Sequence, residues 1–230
     1  HRVQQYVNMG DSISWRPEFV RCMRDLFWVE FDNPIIHYHY MQTPIILSEK
    51  TIGLGKYLHL KWLTLSHPSG ETSTYEMIER NQERVFGIVS ILPITIDNEI
   101  VLIRQYRTPL DRIVLEFPAG CAEIWKHTTL DDAVHAELRE ETGYISDNLT
   151  HIAEFSSSSG MTNETVHGYV ARNCQKVSDI LELDPDEYIE RLLVPYSEFD
   201  RLISDEIRKG AIIEPKMIAM MYLYKNMYQK

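Results

Sequence analysis

The run Glu137-Leu138-Arg139-Glu140-Glu141-Thr142-Gly143-Tyr144 constrains this chain more than any other segment. Residues three and four apart share a helix face, so in a helix Glu140 and Glu141 both lie near Glu137. Carboxylates this close repel and raise one another's pKa unless a cation sits among them. An all-oxygen cluster suits Mg²⁺ or Mn²⁺. Acid in a last turn also opposes the helix dipole, a cost that a purely structural helix has little reason to bear. The helix carries its own start and stop signals. Thr129, with Asp132 three positions on, reads as an N-cap close to a capping box. Leu130, Ala133, Val134 and Leu138 make an apolar stripe, and Gly143 is the expected C′ stop. The plain alternative is a solvated acidic face, and the flanking segments argue against it.

Ahead of the helix stands Leu115-Glu116-Phe117-Pro118-Ala119-Gly120. Together the two segments resemble the Nudix hydrolase signature, a glycine loop leading into R-E-x-x-E-E-x-G, and are most similar to its ADP-ribose pyrophosphatase branch. Tyr57, Ser73 to Arg80, Arg104-Gln105-Tyr106-Arg107 and Ser159-Gly160-Met161-Thr162-Asn163-Glu164 look like that branch's segments, in order. The stretch from Glu187 to about Met227 follows it too, so the resemblance spans residues 50–230. Three departures stand out. Ala136 replaces the signature's arginine, Thr128 replaces its leading glutamate, and the loop Cys121 to Thr128 is two residues longer than usual. The two replaced residues carry opposite charge, and Glu123 or His127 of the longer loop could compensate.

The resemblance implies roles residue by residue. Glu137 and Glu141 would be the main Mg²⁺ ligands, Glu140 would assist, and the Ala119 carbonyl would complete one metal site. Glu116 would contact the substrate or a water held by the metal. Glu164, in the serine-rich loop Ser156 to Glu164, occupies the branch's general-base position. That loop reads as flexible, the more so with Ser159 where the branch has proline. Tyr57 and Tyr75 match aromatic positions that sandwich adenine, Glu76 could accept from the adenine amino group, and Arg80 and Arg107 match residues holding phosphate or the terminal ribose. In this branch the two rings come from different subunits, which implies a homodimer with residues 50–80 at the interface.

The remainder of the chain is read from pattern. Residues 1–48 form an extension, with a helix from Ser14 to about Phe31 and an alternating His37-Tyr38-His39-Tyr40 strand. The resemblance implies an N-terminal antiparallel β-region over residues 49–82 and the Nudix domain over 83–230. Strands are expected over Leu58–Ser66, Thr72–Arg80, Arg84–Ile96, Glu99–Arg107, Ile113–Phe117, Ile152–Phe155, Thr165–Ala171 and Tyr188–Val194. Helices follow over Ser197–Lys209, N-capped by Ser197, and Pro215–Tyr228. The fold class expected is α/β, a mixed sheet sandwiched between helices.

A net charge of −11 disfavours nucleic acid as a partner. No apolar run reaches the ~20 residues of a membrane span. Three unclustered cysteines suggest reduced thiols in a cytoplasmic protein. The expected activity is Mg²⁺-dependent hydrolysis of ADP-ribose, or a related nucleoside diphosphate sugar, to AMP and ribose 5-phosphate. The alternatives are a catalytically weak ADP-ribose-binding sensor and a hydrolase of another nucleotide such as GDP-mannose.

Overall fold

The computed structural model describes residues 42–81, 83–185 and 187–228. The expected helix from Ser14 and the His37–Tyr40 strand lie outside the described residues.

Three strands, β1 (Ile45–Leu54), β2 (Leu58–Ser66) and β3 (Thr72–Arg80), form an antiparallel sheet. β2 and β3 have the bounds their alternation indicated. Their turn closes with the Gly70 amide donating to the His67 carbonyl at 2.9 Å, and Gly70 has φ 86°, a conformation that suits glycine. β1 has no counterpart among the expected strands. Irregularities between Ile46 and Ser48 and between Thr51 and Gly53 break its period of two, the signal by which strands are read.

The rest of the described chain runs β4 (Val85–Thr95), β5 (Glu99–Arg107), β6 (Arg112–Glu116), β7 (Ala119–Glu123), α1 (Leu130–Thr142), β8 (Tyr144–Ile145), β9 (Asn148–Ser156), β10 (Thr165–Lys176), β11 (Ile189–Pro195), α2 (Phe199–Arg208), β12 (Ile212–Ile213) and α3 (Pro215–Tyr228). β10 runs parallel to β4 and β12 parallel to β6, while the other pairings are antiparallel, so the sheet is mixed as expected.

The β4–β5 hairpin turns at Asn98, whose φ is 59°, but its ladder is confined to Ile94 opposite Ile100. Beyond that pair the strands part. β4 takes β7 and β10 as neighbours, and β5 takes β6 and β11. The chain crosses this fork at Phe117-Pro118, where the Ile91 amide donates to the Pro118 carbonyl at 2.9 Å. Glu116 therefore ends one branch and Ala119 begins the other.

Apolar residues fill both faces. Leu92, Leu102, Phe117 and Val170 pack with Phe199 and Ile203 of α2 and with Met217, Met220 and Met221 of α3. Val89, Ile91 and Tyr169 pack with Ala133, Val134 and Leu138 of α1. The sheet is thus held between α1 on one face and α2 with α3 on the other. One expected cap is corrected. Ser197 lies inside a 3₁₀ turn, Tyr196–Glu198, and α2 starts at Phe199 with no side-chain cap. Pro195 precedes the turn, and the chain tightens there before the α-helix begins.

Candidate active site

The N-terminus of α1 is built as its sequence indicates. The Thr129 hydroxyl accepts from the Asp132 amide at 3.1 Å, and the Asp132 carboxylate accepts from the Thr129 amide at 2.9 Å. Thr128, one of the departures from the signature, joins this box. Its amide and hydroxyl both donate to the Asp132 carboxylate, and the Thr128 and Thr129 bonds hold the Asp132 pKa down at about 2. At the other end Gly143 adopts φ 70° and its amide donates to the Arg139 carbonyl at 2.8 Å. Arg191 donates to the Thr142 carbonyl, setting a cation at the negative end of the helix.

α1 delivers its carboxylates to the fork in the sheet. Glu141, 1% exposed, accepts from the Ala119 amide at 2.9 Å. Glu137 lies so close over Gly120 that a methyl group there would overlap its carboxylate. The Ala119-Gly120 backbone and the two carboxylates therefore form one cradle. Gly120 serves it as part of strand β7, not of a loop. Burial, with Glu140 beside it, pushes Glu137 up to about 8, and burial together with Glu137 pushes Glu141 well above the ordinary carboxylate range. This all-oxygen set fits a hard divalent cation, whose charge would reverse both shifts.

Glu116, 4% exposed, receives both arms of the Arg107 fork, Nε to Oε1 at 2.9 Å and Nη2 to Oε2 at 2.6 Å. Burial raises the Glu116 pKa against the pull of Arg107. Burial also works against the Arg107 charge, but the Glu116 bonds outweigh it and keep the guanidinium cationic. Arg107 also feels the charge of Glu141, so the pair adjoins the cradle.

Glu164 is held by a second set of contacts. Arg80 contacts its Oε2 through Nε at 2.7 Å and Nη2 at 2.6 Å, and the Ser157 hydroxyl donates to its Oε1 at 2.6 Å. The Cys121 side chain on β7 feels the charges of Arg80, Glu137 and Glu164, so the two clusters lie near one another. A cleft of about 390 Å³ opens beside Arg80, Val85, Gly87, Asn163 and Glu164. A larger one, about 470 Å³, lies at Arg104, Arg112 and Lys209, and none of the signature carboxylates lines it.

The serine-rich loop is more anchored than its composition suggests. The Ile78 amide donates to the Met161 carbonyl at 2.8 Å, the Tyr75 hydroxyl to the Gly160 carbonyl at 2.7 Å, and the Asn163 amide group to Glu79 at 3.3 Å. All three contacts come from β3, across more than eighty residues of chain, which composition cannot reveal.

Tyr57 and Tyr75 are 48% and 43% exposed. Asn81, at the end of β3, pairs with Tyr57, and Tyr75 lies six positions earlier, a separation of about 20 Å along the strand. One copy of the chain does not bring the two rings together. Glu76 is exposed and lies opposite Trp62 in the ladder.

Three neighbours of the cradle lie outside the sequence-predicted site residues. Lys126, in the lengthened loop, pulls on Glu137 and feels Glu140, supplying positive charge where Ala136 has none. Glu187 and Asp184 add negative charge at Glu137. His127 Nδ1 accepts from the Glu123 amide at 3.1 Å and closes the loop. Lys126 could have been suspected as the cation of an insertion. Glu187 and Asp184 are brought in by tertiary folding alone.

Residues 86–215 match the family model described as the NUDIX domain. The chain belongs to this family. The ADP-ribose pyrophosphatase of Bacillus subtilis (strain 168) is 33% identical to the Nudix chain over 162 residues, 68% of this chain and 84% of that protein. The methanol dehydrogenase activator of Bacillus methanolicus is 32% identical over 185 residues, 77% and 94% of the two chains. A solved structure, the crystal structure of an ADP compounds hydrolase, superposes with a TM-score of 0.65 at 23% identity, covering 82% of this chain and 96% of that one, and shows the Nudix fold. The enzyme class, a Nudix pyrophosphohydrolase, is the one the sequence indicated.

Proposed function

We propose that the chain hydrolyses the diphosphate linkage of ADP-ribose, or of a closely related nucleoside diphosphate sugar, releasing AMP and ribose 5-phosphate with Mg²⁺ as the metal. The observation that carries this reading is the convergence of Glu137 and Glu141 on the Ala119-Gly120 backbone. Glu137, Glu140, Glu141 and the Ala119 carbonyl would hold the cation, which supplies charge neutralisation for the diphosphate.

The chain's own groups do the rest. Glu164 takes a proton from the attacking water as its oxygen bonds to one phosphorus. The bond from that phosphorus to the bridging oxygen breaks, and the bridging oxygen leaves on the other phosphate. Arg80 holds Glu164 in position before substrate arrives and offers its guanidinium to the diphosphate once it does. Glu116 orients Arg107 toward the same charge. Tyr57, Tyr75 and Glu76 would recognise adenine at a site completed by a second copy. The exposed apolar residues Ile45, Leu58, Leu60 and Trp62, which the strand register puts on one face of the three-stranded sheet, support a homodimer through this face. Free thiols at Cys121 and Cys174 suit the cytoplasm. Among the described residues no helix is long and apolar enough to cross a membrane.

A second reading, an ADP-ribose-binding sensor with little turnover, is favoured by Ala136 and by the engagement of Glu164 with Arg80. One assay separates the two. AMP and ribose 5-phosphate are quantified from ADP-ribose with Mg²⁺, with GDP-mannose and ADP-glucose in parallel. Turnover that falls at least about a hundredfold in Glu137→Gln supports the hydrolase. Absent turnover, with ADP-ribose binding retained by calorimetry, supports the sensor and overturns the proposal.

A further inference from the structure

Away from the acidic cradle, on the α1-facing side of the sheet, His151 and Glu154 of β9 and His167 of β10 converge. One potential ligand atom from each lies within 4.8 Å of the other two. The rings of His151 and His167 are 5.6 Å apart between centroids, and His167 Nδ1 is 3.6 Å from Glu154 Oε1.

A regular strand would not produce this group. Residues i and i+3 of a strand point to opposite faces, so His151 and Glu154 should be separated by the sheet. The β9–β10 register shifts between Gly168 and Tyr169, which pair with Ala153 and His151, and Ile152 is the extra residue. This bulge turns His151 to the side of Glu154 and His167. Bulges commonly re-aim a side chain in this way. The resulting rings are constrained. His151 packs edge-on against Tyr169 at 5.2 Å. His167 lies against the backbone of β4, where a methyl group on Gly87 would stand 3.6 Å from its Cδ2 and 3.8 Å from its Nε2. With Nε2 turned to β4, Nδ1 faces Glu154.

We propose that His151, Glu154 and His167 form a binding site for a borderline transition-metal ion of the Zn²⁺ class, separate from the acidic cradle. The donor set is two imidazoles and one carboxylate, which suits Zn²⁺ and Co²⁺ and is poorly suited to Mg²⁺. Ligands of a tetrahedral zinc sit about 3.4 Å from one another, so small side-chain rotations close the present spacing. Three protein ligands leave a fourth position for water. β9 and β10 are the two arms that carry the Ser157–Glu164 loop, with Ser156 and Thr165 closing their ladder. An ion bridging Glu154 to His167 would tie these arms just below that loop.

The test is a Co²⁺ titration of the full chain in excess Mg²⁺, followed by absorption of the cobalt ligand-field bands and by Zn²⁺ displacement. The wild type and Glu137→Gln should each bind one equivalent that Mg²⁺ does not displace. His151→Ala, which removes an exposed ring, and His167→Asn should each lose it. Zn²⁺ at about a hundredfold excess over its Kd should raise the wild-type Tm by about 5–10 °C and leave His151→Ala unmoved. The proposal is overturned if the wild type binds no such equivalent, or if His151→Ala retains it. It is equally overturned if Glu137→Gln abolishes it, since the ion would then belong to the cradle.

Discussion

Arg80 and Glu164 stand 84 positions apart and meet through two contacts to one carboxylate oxygen, Nε at 2.7 Å and Nη2 at 2.6 Å. Arg80 closes β3 and Glu164 closes the serine-rich loop, so this pair fastens the three-stranded sheet to that loop. On the proposed function, Arg80 would have two competing partners, the carboxylate and an incoming phosphate.

The first prediction follows from that competition. Glu164→Gln should lower kcat by about 10²–10⁴-fold, the range of a general base, with KM little changed. Arg80→Ala should raise KM by about tenfold and lower kcat less, because the diphosphate loses a charge-assisted contact while Glu164 remains. Steady-state kinetics on ADP-ribose separate the two effects. An Arg80→Ala protein with unchanged kinetics and only a lowered Tm would make Arg80 a structural partner.

The second concerns Gly120. An added methyl would overlap the Glu137 carboxylate, so Gly120→Ala should displace that side chain, cost about 1–3 kcal/mol of stability and remove most activity. Gly160→Ala is the control. Nothing stands within 4 Å of a Cβ there and its φ is not in the left-handed region, so it should be neutral or stabilising by up to about 1 kcal/mol. Urea denaturation and the ADP-ribose assay on both variants check the contrast.

Such contrasts show which parts of the molecule were readable. α1 was legible residue by residue because its signals are local, with Thr129 and Asp132 at one end and Gly143 at the other. β2, β3 and β5 were legible because they alternate or run apolar between turns. β7 was not, since Ala119-Gly120-Cys121 is short, rich in small residues and reads as a loop. The fork that splits β4 from β5 was hidden for a different reason. It depends on which distant strand each one pairs with, and hydrophobic pattern does not encode partners. The site divides in the same way. Glu137 and Glu141 were visible in their spacing, whereas the hold of Arg80 on Glu164 and the nearness of Lys126 and Glu187 arise from contacts that only the fold creates.

Lys126 carries the third prediction. It opposes the negative charge of Glu137 and Glu140 from the lengthened loop. Removing it deepens the negative potential that a divalent cation meets. Lys126→Ala should therefore bind Mg²⁺ about two- to fivefold more tightly at low salt, with the difference shrinking as ionic strength rises. Calorimetric titration at two salt concentrations decides it. Weaker Mg²⁺ binding in the variant would instead make Lys126 a support that orders the carboxylates.

The last prediction is the pH dependence of stability in the metal-free protein. Glu137 is raised from 4.5 to about 8, mainly by burial, and Glu141 is raised in the same direction. A carboxyl whose folded pKa lies above its unfolded value binds more protons when folded, so stability falls as pH rises between the two values. In chelator, the melting temperature should decline from about pH 5 to pH 9, and Glu137→Gln should flatten that decline by on the order of 2–4 kcal/mol of unfolding free energy. Saturating Mg²⁺ should restore the wild type most at the alkaline end, since the cation binds the ionised carboxylates that burial disfavours. A wild-type profile in chelator that is flat, or parallel to that of Glu137→Gln, would mean that water reaches Glu137 and relieves its burial, and the case for the cradle as a cation site would then rest on its geometry alone.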